Sequence, residues 1–61
     1  MDIIEIFWTN VDRQIKNRSV FLRQSHETAR RKKAGINLRT VEEIAKCLDI
    51  DDYSILFEKV D

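Results

Sequence analysis

The sequence predicts an all-α fold: a small bundle of four to five short helices in one domain spanning residues 1–61. Three observations carry that expectation. Proline is absent and Gly35 is the single glycine, so the tight turns that join short strands have almost no suitable residues. Apolar residues recur at helical spacing near both ends of the chain. The hydrophobic fraction of 43% and the charged fraction of 36% describe a globular chain with room for one core. A chain of this length buries roughly 60% of its unfolded surface, which excludes a large substrate cleft.

The first element is expected from about Ile4 to Asn17. At 100° per residue, Ile4, Phe7, Trp8, Val11 and Ile15 share one arc, while Glu5, Thr9, Asp12 and Lys16 lie opposite. Asp2 is placed to cap it. Phe7 and Trp8 are the expected core anchors, since large aromatics dominate burial in a small domain.

The middle, from Arg18 to Ile36, is weakly patterned. Val20, Phe21 and Leu22 cluster, and then only Ala29, Ala34 and Ile36 are apolar. One continuous helix would bury Ser25, Thr28 and Lys32 beneath Phe21. Two short helices fit better, one capped by Ser19 and one from about Ser25 to Ala34, closed by Gly35 in a left-handed conformation. The second is so polar that burial alone does not hold it.

From Asn37 to Ile50 the pattern is clear again. Leu38, Val41, Ile44, Ala45 and Leu48 share an arc and Arg39, Glu42, Glu43 and Lys46 face away. Asn37 is the expected cap, with Thr40 and Glu43 as an alternative capping box. Cys47, at the edge of the arc, reads as a small packed hydrophobe. A last helical turn or two begins near Asp51, capped by Asp51 and Asp52, with Tyr53, Ile55, Leu56 and Phe57 closing over the core.

Several function classes find no support. One cysteine and one histidine cannot build an internal disulfide or a structural zinc site. The start of the chain, MDIIEIFWTNVDR, reads as neither a signal peptide nor a membrane span, so a cytoplasmic protein with no membrane partner is expected. No nucleophile–base pair, paired carboxylates or phosphate-cradling loop is present. An enzyme is not expected, nor a cofactor or small-molecule substrate.

Charge is the informative feature. Residues 1–12 sum to −3, residues 13–39 to +8 and residues 40–61 to −5, for a net charge of zero. A basic middle between acidic flanks reads either as a footprint for a polyanion, usually nucleic acid, or as a solvated basic face.

These segments resemble a known family. IFWTNVDRQIKNR is similar to the first helix of the Cro/repressor-type (Xre, lambda-repressor-like) helix-turn-helix domain. GINLRTVEEIAKCLDIDDYSILFE is similar to its fourth and fifth helices, and TARRKKAGIN to the end of its recognition helix and the loop beyond. The nineteen residues from Arg18 to Ile36 are fewer than the family places there, so the second helix and the turn look truncated. Positions that face inward in the family's recognition helix hold Thr28 and Arg31.

The resemblance implies a bacterial or phage transcriptional regulator that binds double-stranded DNA as a homodimer. In a major groove the N-terminal residues of a recognition helix meet base edges and flanking cations meet phosphates. Ser25, His26, Glu27 and Arg30 are then the candidate readers, and Glu27 suits a cytosine N4 donor. Arg23, Arg31, Lys32, Lys33 and Arg39 are the candidate phosphate contacts. The alternative is a protein-interaction or dimerisation module that kept the scaffold and binds an acidic partner through the same tract.

Overall fold

The computed structural model describes residues 2–59 and contains helices α1 (Ile3–Arg18), α2 (Gln24–Lys32) and α3 (Leu38–Cys47), followed by a 3-10 helix (Tyr53–Phe57). There is no strand among the described residues. The Cα radius of gyration, 10.4 Å, matches the value of about 10.5 Å expected for one packed unit of this length.

The bundle thus has three α-helices and a 3-10 turn, not four to five helices. The missing one is the helix expected to start at Ser19. Ser19 instead ends α1 in the left-handed conformation (φ 54°), its N–H donating to the Ile15 carbonyl. The chain then runs through Val20–Arg23 without helix, Leu22 turned into the core and Phe21 into solvent. This is the two-residue alternation of an extended strand, not the spacing of a helix.

α1 forms where its pattern predicts. The Asp2 carboxylate accepts from the Glu5 N–H at 2.9 Å, satisfying one of the first-turn donors that have no helical partner. Phe7, Trp8 and Val11 are fully buried, and Ile4 and Ile15 pack at the margin. Asn10 is also buried, one step off the apolar arc.

α2 starts at Gln24 and stops at Lys32. Its end falls on Lys33 (φ 50°) and not on Gly35, correcting the expected cap. The Ala34 N–H reaches back to the Ala29 carbonyl at 3.0 Å, the 6→1 bond of a Schellman motif. Closing two residues early presents the Ala34 carbonyl to Trp8, whose indole Nε1 donates to it at 2.9 Å.

α3 is capped by Asn37, whose side chain accepts from the Thr40 N–H. Val41, Ile44, Ala45 and Leu48 are buried, but Leu38, at the edge of the arc, stands in solvent. A second Schellman closure follows, with Asp49 left-handed and the Ile50 N–H bonded to the Ala45 carbonyl at 2.9 Å. It turns Ile50 into the core.

The 3-10 helix is capped by Asp52 alone, which accepts from the Ser54 N–H at 3.0 Å; the Ser54 hydroxyl, and then that backbone bond, hold the Asp52 carboxyl below the usual range. Asp51 is exposed and Tyr53 is more exposed than the expected closing role requires. Leu56 is buried, and Phe57 stacks obliquely on Phe7 with ring centres 5.3 Å apart. α1 packs most closely against this segment, which also meets α3, while the backbone of α2 stands further off.

Two substitutions on α1 test this arrangement. Trp8→Ala removes the largest buried side chain and is expected to cost about 3–5 kcal/mol. The whole domain has about 3–9 kcal/mol, so circular dichroism at 25 °C should show a largely unfolded chain. Asn10→Ala leaves the carbonyls of Leu56 and Glu58, which its Nδ2 donates to at 3.1 and 2.9 Å, without that partner. A loss of about 1–3 kcal/mol in urea melts is expected, with hydrogen exchange fastest in the 3-10 helix.

Candidate nucleic-acid interface

The basic middle of the sequence resolves into two layers around α2. Gln24, Ser25, Thr28, Arg31 and Lys32 are exposed, and at 100° per residue they share an arc of about 120°. His26, Glu27, Ala29 and Arg30 occupy the other side and are buried or half-buried.

The inward side is held by charge as well as by Ala29. Arg30 reaches α1, its Nη1 donating to Asp12 Oδ1 at 2.8 Å, while its Nε and Nη2 grip the two oxygens of Glu27. Asp12, expected on the solvent face of α1, is therefore half-buried as an anchor for α2. The Arg30 side chain keeps 30% of its exposure. Donating hydrogen bonds to Glu27 and then to Asp12 pushes its pKa further up, and the Arg30 guanidinium in turn holds the Glu27 carboxyl below the usual carboxylate range. Arg31 lies near the same carboxylate, Nε to Oε1 at 3.6 Å, with 74% of its side chain exposed.

His26 faces α3. It is 8% exposed, its Nε2 lies 3.5 Å from Glu43 Oε2, and its Nδ1 is buried without a hydrogen-bond partner. The other Glu43 oxygen lies 3.5 Å from Arg39 Nε.

The nine residues singled out from the sequence thus separate. Ser25, Arg31 and Lys32 share the outward arc of α2. Arg23 and Lys33 are exposed at its two ends, and Arg39 is exposed in the first turn of α3. His26, Glu27 and Arg30 turn inward and are engaged within the protein, so the expected reading set of Ser25, His26, Glu27 and Arg30 does not form one surface. The reason is helical geometry: Ser25, His26 and Glu27 are consecutive and so point 100° apart, and the side with His26, Ala29 and Arg30 is the one turned to α1 and α3, which leaves Gln24 and Thr28 beside Ser25. Spacing alone carries this signal in the sequence, since three consecutive helical residues cannot share one face.

Around the N-terminus of α2, Arg23 occupies the cap position without a side-chain hydrogen bond to the first turn. The open N–H groups and the positive end of the helix dipole favour an anion there. No described group of three or more His, Cys, Asp or Glu side chains could hold a metal ion, and no described helix is long and apolar enough to cross a membrane.

No protein-family model matches the chain, and neither curated proteins nor solved structures offer a significant match.

The ionic tie between α1 and α2 carries a pH signature. Glu27 has a lowered pKa in the fold, so its stabilising contribution is fully present above the ordinary glutamate range. It is lost as pH falls through that range towards the lower folded pKa. Carbon-13 titration of Glu27 should place its midpoint below that of an exposed glutamate, and Arg30→Ala should move it up towards the ordinary range, with Arg31 still beside the carboxylate.

Proposed function

We propose that this chain is a small DNA-binding protein that lays the outer face of α2 against duplex DNA and acts in transcriptional regulation without a cofactor. The observation that carries this reading is the outward arc of α2. Three hydrogen-bonding side chains, Gln24, Ser25 and Thr28, are exposed there with Arg31 and Lys32. Gln, Ser and Thr suit the donor and acceptor pattern of base edges, Gln pairing bidentately with adenine. Arg23, Arg31, Lys32, Lys33 and Arg39 supply the flanking positive charge that phosphates require. The likeness to the Cro/repressor-type family adds a homodimer on a two-fold operator to this reading.

A second reading has its own observation. His26, Glu27 and Arg30 are engaged within the protein, and no helix stands between α1 and α2. A scaffold without a full helix-turn-helix unit suits a protein-interaction or dimerisation module that uses the basic tract on an acidic partner.

Binding to mixed-sequence duplex DNA across a salt series separates the two. Five phosphate contacts give a slope of log K against log salt of about −4 to −5. Lys32→Ala and Lys33→Ala should each weaken all sequences alike and reduce the slope by about 1. Gln24→Ala should relax preference at one base position by about 1–3 kcal/mol. No binding at low salt, together with capture of an acidic protein, establishes the interaction module instead.

A further inference from the structure

Phe21 is the most exposed large hydrophobic residue described, at 91%. It sits on the non-helical segment between α1 and α2, beside an open hollow of about 370 Å³ lined by Ile15, Phe21, Leu22, Glu27, Arg30 and Arg31. Its neighbour Leu22 turns into the core, which fixes the backbone that carries the ring. Arg18 lies three residues before it and Arg23 two after, both exposed, and Arg31 reaches the hollow from α2. From Arg18 to Lys33 the chain carries six Lys or Arg against Glu27 alone, and Glu27 is engaged by Arg30 and Arg31.

We infer that Phe21 is a stacking platform for a single nucleobase, one that has left the stack of the duplex on which α2 lies. The inference rests on the DNA-binding reading above. Charge selects this occupant: phosphates on either side of an unstacked base would meet cations before and after the ring, and an aromatic ring among cations is the arrangement by which proteins hold unstacked bases. Size agrees. One protruding ring beside a small hollow falls far short of the roughly 800 Å² per partner of a stable protein interface, but it suits the face of one base.

The experiment compares a short duplex containing one unpaired 2-aminopurine with the fully paired duplex, at low salt, for the wild type, Phe21→Ala and Phe21→Trp. An acidic peptide bearing leucines is a third ligand. The wild type should prefer the unpaired base by about five- to 150-fold. Phe21→Ala should lose that preference while binding the paired duplex as before, and Phe21→Trp should keep it. The ring is almost wholly exposed, so both variants should melt like the wild type. Equal binding of the two duplexes by the wild type, or a preference that survives in Phe21→Ala, overturns the stacking role and leaves the DNA-binding reading standing. Phe21-dependent capture of the acidic peptide, with DNA binding indifferent to Phe21, overturns it in favour of a protein anchor. No binding to either duplex overturns both inferences.

Discussion

The hydrogen bond from the Trp8 indole to the Ala34 carbonyl is the constraint on which the middle of this protein depends. The ring lies in the centre of the core, edge-on to Phe7 at 4.8 Å, while its one polar atom reaches a backbone oxygen 26 residues away. The short connection from α2 to α3 is thereby held at a fixed point on α1. Because Ala34 belongs to the Schellman closure of α2 and lies three residues before the cap of α3, one bond sets the end of one helix and the approach to the next. Asn10 does the same for the far end of the chain, with two bonds to the carbonyls around the 3-10 helix. Asp12 completes the series by taking Arg30. α1 thus organises the fold through three polar groups as well as through its apolar stripe.

This solves a problem posed by α2, which has too little apolar surface to be held by burial. Its inner face is fastened by ion pairs and by a buried histidine, in place of aliphatic side chains. Such ties are weak where their members keep contact with water, as Arg30 and Asp12 do. They nevertheless direct rotation: Glu27 steadies the Arg30 guanidinium from within α2 while its Nη1 reaches Asp12 on α1, which turns that side of the helix towards α1. The same economy of contact makes α2 the element expected to open first in local unfolding. Its outer residues carry little structural duty: the Thr28 hydroxyl bonds back to the Gln24 carbonyl at 3.1 Å and Arg31 loosely meets Glu27, while the side chains of Ser25 and Lys32 have no partner among the described residues.

Much of the frame was legible in the sequence because the helices at its ends are periodic. The apolar arc of α1, the burial of Phe7 and Trp8, and the caps at Asp2, Asn37 and Asp52 follow from spacing and local chemistry. The middle was not, for two physical reasons. The chain ends its helices on Ser19, Lys33 and Asp49 in the left-handed conformation, where glycine is the usual signal, so Gly35 pointed to a closure that lies two residues earlier. Charge was also read residue by residue, whereas Asp12–Arg30 and His26–Glu43 pair across elements 18 and 17 positions apart. Arg30 and His26 therefore read as surface groups although both face the interior, and nothing in the spacing marks Asn10, off the apolar arc, as the donor of two hydrogen bonds.

The neutral net charge now has a structural meaning. The fold sorts its charges into an inner set that is matched and an outer set that is not. Arg30 is matched by Asp12 and Glu27, and Glu43 faces His26, with the exposed Arg39 on its outer side. Arg23, Lys32 and Lys33 enter no ion pair among the described residues, and Arg31 is only loosely engaged. The acids that balance them in the total lie largely in the flanking segments, 1–12 and 40–61. Charges more than a Debye length apart, about 8 Å at physiological salt, barely feel one another at the surface. A polyanion approaching α2 therefore meets the local excess and not the average. A chain with no net charge can in this way present a basic face, built from cations that take little or no part in the ion pairs of the fold.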